Sequence, residues 1–465
     1  KIYKMKKLLI AILIFNSCLD KNEPRKSITK NKVKIEAINQ ETIDKTVLYE
    51  ANIRQYSAEG TFNAFSKDLD LIKELGVNII WLMPINPIST TKSKGPLGSY
   101  YAISDYKKVN PEFGTSDDFR SLVEKAHSMG IYIIIDWVPG HTGWDHNWIN
   151  ENSEYYLKNK EGKIIDPINP STGESFGWTD VADLNYNNLQ MQQAMMDAMA
   201  FWVKEFDIDG FRVDQAYAVP QSFYERTFKM LKSIKPIFLL AETDINHPGG
   251  IELVNRFDAS YDWPGHHLSK EIAQGKKDVN SLRKHFSWIN KNYKSENILI
   301  NFLTNHDENS WNGSIKEVYG DAEKVFTALS YLSPGMPLIY SGQEYDLDKR
   351  LLFFEKDSFP KVSGATIEFL KRMGDLKNNH PALKASLGYE KLSYIETNAE
   401  DKILAFERRN KGDTIVFIAN FSSNHSQFRM NYDSNFKSFP KGTKKTLSST
   451  YEYVMKPWEF WILIK

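Results

Sequence analysis

Eight short stretches of almost unbroken apolar character recur between residues 47 and 340, separated by segments of helical spacing. They are Val47–Asn52, Val77–Leu82, Ile131–Asp136, Gly210–Asp214, Ile237–Glu242, Ala259–Tyr261, Ile298–Leu303 and Pro337–Tyr340. A strand with one face in water alternates apolar and polar residues, whereas a strand apolar on both faces is covered on both, as in a parallel sheet. Between the stretches, Leu69, Ile72 and Leu75 share a helical face that ends at Gly76, and a second helix runs from Phe119 to Met129 and stops at Gly130. Met195, Met199, Trp202 and Phe206 line a third helix. The alternation predicts a (β/α)8 TIM barrel, an α/β fold whose active site sits at the C-terminal ends of its strands.

Two regions break the rhythm. Residues 139–185 are rich in Trp, Asn, Gly and Pro, which predicts an excursion subdomain over the barrel mouth after strand three, with the barrel over 45–138 and 186–385. Residues 393–465 carry short alternating runs such as Ile403–Phe406, Ile415–Ala419 and Phe460–Ile464, the pattern of a C-terminal antiparallel β-domain. Lys+Arg and Asp+Glu both number 59, so the formal charge is zero and no nucleic-acid or other polyanion partner is indicated. Aromatics make up 13% of the chain, enough to line both a large core and a site that stacks flat ligands.

The one cysteine, Cys18, closes a segment that begins Met5-Lys6-Lys7 and continues through the apolar run Leu8–Phe15. Basic residues before a short apolar run make a secretory signal over residues 1–18, too short for a spanning helix. The polar, Lys-rich residues 19–44 read as a flexible tether. An exported chain without disulfides is expected, and a monomer.

With the barrel as frame, polar clusters fall at strand ends. Asp136 and His141 follow strand three, Arg212 and Asp214 end strand four on one face, Glu242 ends strand five, and Asn305-His306-Asp307 follows strand seven. A structural salt bridge accounts for Arg212 and Asp214 as well as a catalytic pair does; the convergence of further carboxylates on the same mouth favours chemistry. Arg212 should keep Asp214 ionised, as a nucleophile requires. Carboxylates crowded together cannot all ionise without cost, so Glu242 is expected to hold a proton and act as the acid. A nucleophile beside a proton donor is what retaining glycoside hydrolysis needs.

From about Val47 to its end the chain resembles the α-amylase family, glycoside hydrolase family 13. The motifs are Asp136-Trp137-Val138-Pro139-Gly140-His141, Gly210-Phe211-Arg212-Val213-Asp214, Ala241-Glu242 and Phe302-Leu303-Thr304-Asn305-His306-Asp307. Ala182-Asp183-Leu184-Asn185 and the segment Gly335–Glu344 match further family motifs. The resemblance implies that Asp214 is the nucleophile, Glu242 the general acid/base and Asp307 the transition-state stabiliser. It also implies that Tyr101, His141, Arg212 and His306 bind the sugar being cleaved. The implied substrate is an α-1,4-glucan: starch, glycogen or maltodextrin. Transglycosylation, cyclodextrin hydrolysis and a non-catalytic glucan-binding role are the alternatives, the last disfavoured because all three carboxylates are present. Ser17-Cys18 resembles the end of a bacterial lipoprotein signal, which implies a lipidated Cys18 and an outer-membrane anchor.

Three departures from the family stand out. Gly140 replaces an asparagine that usually ligates calcium, Gln215-Ala216-Tyr217 follows the nucleophile in place of a Lys-His pair, and Ala102 replaces an aspartate that grips chain ends in α-glucosidases. A cation that takes about six to eight oxygen ligands is left with a poor cage, so neither metal nor cofactor is expected. The small Ala102 leaves room for long chains, which favours an endo-acting enzyme.

Overall fold

The computed structural model describes residues 35–169 and 172–465. Cys18 and the signal segment lie outside the described residues. Eight strands form the barrel: β1 (Val47–Ala51), β2 (Val77–Leu82), β3 (Tyr132–Trp137), β4 (Gly210–Val213), β5 (Phe238–Ala241), β6 (Ala259–Tyr261), β7 (Ile298–Asn301) and β8 (Met336–Tyr340). They close in sequential order, with β1 parallel to both β2 and β8. The strand ends fall within two residues of those expected. Alternate residues point inward, so Leu48, Ile79, Ile134, Leu240, Ile300 and Leu338 fill the centre. The other faces pack against the helical layer, where Trp202 of the helix Leu189–Phe206 meets Phe119 and Phe206.

The stretch expected to run as a tether to residue 44 ends earlier. Gln40–Lys45 is a helix capped by Asn39, whose side chain accepts from the Thr42 amide at 3.0 Å. Ile38 and Ile43 pack with the barrel-interior cluster, so a segment whose average composition is polar is ordered by two apolar anchors.

The C-terminal domain is a six-stranded antiparallel sheet of β9 (Leu392–Tyr394), β10 (Ile403–Asn410), β11 (Asp413–Asn420), β12 (Ser434–Ser438), β13 (Lys444–Leu447) and β14 (Phe460–Ile464). Its order is β9-β10-β11-β14-β12-β13. Arg408 of β10 is buried and donates to the carbonyls of Leu332, Ser333 and Lys384 at 2.8–3.1 Å, joining the sheet to the barrel on the side where β8 begins.

The excursion is anchored by backbone and aromatic contacts. His141–Gly143 pairs antiparallel with Val181–Asp183. The Tyr106 hydroxyl donates to the carbonyls of Val138 and His141 at 2.8 and 2.9 Å, and the Tyr186 hydroxyl donates to Pro139 at 2.8 Å. The residues at the family's calcium position do not fit a hard cation. Gly140 has no side-chain oxygen, and its carbonyl accepts from the Leu184 amide at 3.1 Å. The Asp183 carboxyl, pushed up to about 6 by burial, takes backbone hydrogen bonds from Ile168 and Leu184. A metal held only by the native state would stabilise it by mass action. Excess EDTA should therefore leave the calorimetric Tm unchanged; a fall of several degrees, reversed by calcium, would show that other ligands complete the cage.

Candidate active site

The inward rows of the barrel lead directly to the site. Two residues beyond Leu48, Ile79, Ile134, Leu240 and Leu338 on the same faces stand Glu50, Trp81, Asp136, Glu242 and Tyr340. β4 supplies the centre. Gly210 enters it with φ near 154°, and a Cβ there would lie 1.8 Å from the Phe238 carbonyl oxygen, so only glycine lets β4 approach β5 this closely. The preceding Asp209 is held by His127 Nε2 and the Ile133 amide, both at 2.8 Å, and by Lys235 Nζ at 3.0 Å. This clamp sets the register in which Arg212 lies opposite Asp136.

Arg212 is fully buried and joins three carboxyls. Its Nη1 donates to Asp136 Oδ1 at 2.9 Å and to Asp214 Oδ1 at 3.0 Å, while Nη2 lies 2.9 Å from Glu242 Oε2. The guanidinium also lies over the Trp81 ring, 4.9 Å from its centroid. Asp136 receives two more donors, Trp81 Nε1 at 3.2 Å and the Tyr101 hydroxyl at 3.1 Å.

A second cation completes the site. The Tyr101 hydroxyl gives its proton to Asp136, so it accepts from His306 Nε2 at 2.8 Å, while His306 Nδ1 lies 2.6 Å from Glu50 Oε1. Both ring nitrogens are then donors, and His306 is an imidazolium. Burial opposes this charge, but Asp307 and Glu50 outweigh it and push the His306 pKa up to about 9. Asp307, 3.4 Å from His306 Nε2, has a side chain 41% exposed and faces the mouth.

Five carboxyls (Glu50, Asp136, Asp214, Glu242 and Asp307) thus face two cations, Arg212 and His306. So unequal a set must retain protons. Burial and the neighbouring Glu242 charge push Asp214 well above the usual carboxylate range. Burial works on Glu242 in the same direction, yet the Arg212 guanidinium and the Gln215 amide, 2.8 Å from Oε2, hold it below that range. The two shifts run opposite to the expected ones in the unliganded site: Asp214 is pushed up and Glu242 is held down. The reason is that Arg212 reaches both carboxyls, and Glu242 has the extra amide donor.

His141 stands apart from the Arg212 cluster. It opens the first strand of the excursion, its ring bonds to the Tyr101 backbone, and burial lowers its pKa to about 4, leaving it neutral. The sequence reading passed over Glu50, Trp81 and Tyr261, which contact the two cations directly. An ionisable residue at an inward position of an otherwise apolar strand was the available signal for Glu50.

Residues 29–385 match the family model of the alpha-amylase catalytic domain. The alpha-amylase MalA of Haloarcula japonica is 25% identical over 391 residues, covering 81% of this chain and 55% of that protein. Alpha-amylase 2 of Dictyoglomus thermophilum is 26% identical over 386 residues, covering 78% of this chain and 66% of its own length. Among solved structures, a maltogenic alpha-amylase, AmyB of Thermotoga neapolitana, shares the fold with a TM-score of 0.81 at 24% identity, over 91% of this chain and 99% of that one. With a catalytic-domain match that takes in most of the chain and every strand of the barrel, the chain belongs to the alpha-amylase family.

Proposed function

We propose that the protein is a retaining glycoside hydrolase that cleaves α-1,4-glucosidic bonds in starch, glycogen or maltodextrins through a covalent glycosyl-enzyme on Asp214. The observation that carries this reading is one buried guanidinium, Arg212, bonded to Asp214 and 2.9 Å from Glu242. The pair shares one proton. When a glycosidic oxygen takes the place of the Arg212 contact on Glu242, the proton moves from Asp214 to Glu242. That single transfer makes the acid and the nucleophile together and leaves the pair's charge unaltered.

Glu242 then protonates the leaving oxygen as the bond to the anomeric carbon breaks, and Asp214 bonds to that carbon. In the second half Glu242 takes a proton from water, the water oxygen attacks the anomeric carbon, and Asp214 is released. Asp307 faces the positive charge that develops on the sugar ring, and Tyr101, His141, Arg212 and His306 hold the ring. Transfer to a sugar acceptor instead of water is a second reading, favoured by one feature. Tyr217 stacks on His247 at 4.3 Å beside Glu242, a flat surface on the side to which the leaving group departs. Products formed at high maltotriose concentration separate the two.

Asp214→Ala, Glu242→Gln and Asp307→Asn should each lower kcat by about 10⁴-fold with the Tm retained, and double variants should be little worse than the worst single one. Near wild-type release of reducing sugar from starch by Asp214→Ala would remove the nucleophile from the scheme.

His306 supplies the alkaline limit. Its charge is present well below its pKa and lost as pH rises through about 9, so kcat/KM should fall over that range. The groups facing it are Glu50, Tyr101, Asp136, Arg212 and Asp307. Glu50→Gln removes a negative charge that raises the His306 pKa, so the alkaline limb should move to lower pH. A limb that stays in place in the Glu50→Gln pH–rate profile would exclude His306 as its source.

We also propose that Cys18 is lipidated and that two or more acyl chains anchor the protein to the outer membrane. The support is the short apolar run that ends at this cysteine. Cys18→Ser should appear as active enzyme in the soluble fraction on fractionation; its retention in the membrane fraction would point to another anchor.

A further inference from the structure

The loops after β7 and β8 carry aromatic side chains that the hydrolytic scheme leaves unused. Trp311 stands in a π-helical turn, Glu308–Asn312, that begins immediately after Asp307. Its side chain is 53% exposed, although a tryptophan ordinarily buries most of its surface. The Trp311 ring lies 5.5 Å from Phe353 and 6.0 Å from Phe354. Phe353 in turn lies nearly parallel to Tyr101, with 12° between the planes and 6.4 Å between centroids, and Tyr101 stacks on His306. The aromatic surface is therefore continuous from the catalytic centre to the rim.

This surface is preformed. Glu308 is clamped by His266 Nε2 at 3.1 Å and Lys270 Nζ at 2.5 Å, which fixes the start of the turn. Asn309 latches it to the next loop, donating to the Lys349 carbonyl and accepting from the Leu351 amide, both at 2.9 Å. Gln55 donates to the Leu352 carbonyl at 2.8 Å, and the Leu97 amide donates to the Phe354 carbonyl at 3.1 Å. Rings that merely filled a gap would be covered. Here the outermost ring and its neighbour Leu352 are both more than half exposed, on a rigid backbone. A fixed, exposed aromatic face matches the apolar C–H face of a pyranose and loses little entropy when it binds one.

The direction of the chain follows from the acid. Glu242 ends β5, three strands round the barrel from β2 and β8 and two from β7, and the leaving group departs toward Glu242. We propose that Trp311, Phe353 and Phe354 bind the glucosyl units beyond the one held by Tyr101, on the non-reducing side that stays attached to the enzyme. This rests on the hydrolase reading above. It makes the enzyme selective for chains long enough to reach the rim.

The test uses the Asp214→Asn protein, which binds without turnover, and isothermal calorimetry with maltotriose and maltohexaose. Adding Trp311→Ala or Phe353→Ala should weaken maltohexaose by about tenfold and maltotriose far less. Trp311→Leu, which keeps an apolar side chain, serves if the alanine variant loses its Tm; it should show the same loss. An unchanged ratio of the two affinities in all the variants, with wild-type hydrolysis intact, overturns the aromatic surface alone. Failure of the wild type to release sugar from either oligosaccharide, with no binding by Asp214→Asn, overturns the hydrolase reading and this proposal with it.

Discussion

A guanidinium with no access to water must have its charge met by the protein, because an unpaired buried ion costs several kcal/mol. Arg212 is in that position, and much of the barrel mouth is arranged around the need. Asp136 is buried with it and takes two of its hydrogen bonds. Trp81 and the Tyr101 hydroxyl satisfy the rest of Asp136. Because Tyr101 gives its proton there, it accepts from His306, and His306 in turn needs Glu50. A chain of donors thus runs from β1 through the loops after β7 and β2 to β3 and β4. It leaves Asp214, Glu242 and Asp307 as the carboxyls that face the open mouth. Removing a link would strand a buried charge, and the energetic stakes of such networks are correspondingly high.

What could be read from the sequence divides along a physical line. The eight strands were legible because a strand covered on both faces has no polar positions to confuse its pattern, and Val77–Leu82 shows this plainly. Asp214, Glu242, His306 and Asp307 were legible because they sit in short local motifs. The protonation of the Asp214–Glu242 pair was not. It depends on which carboxyl the two ends of one guanidinium reach, and on an amide donor from Gln215, a residue next to Asp214 in sequence. The helix Gln40–Lys45 was missed because composition outweighs two anchoring isoleucines when the floor they pack against is unknown. The row from Tyr101 through Phe353 to Trp311 joins residues more than 40 positions apart, and no local pattern signals it.

The excursion after β3 shows how an interaction can be replaced. Where family members tie this segment with an ion, here the Gly140 carbonyl enters a ladder, and the hydroxyls of Tyr106 and Tyr186 hold the carbonyls of Val138, His141 and Pro139. These neutral hydrogen bonds do not vary with the supply of a metal, so this part of the tie between roof and barrel needs no ion.

The attachment of the C-terminal sheet bears on how the chain is made. The carbonyls of Leu332 and Ser333 end the helix Glu323–Leu332 just before β8 begins, and Arg408 of β10 satisfies both. Until β10 emerges during synthesis, these two carbonyls at the entrance to β8 lack their guanidinium partner. The donor that meets the Ser333 carbonyl lies 75 positions further along the chain, in a different domain. The small domain thus caps a helix end that the barrel by itself leaves open.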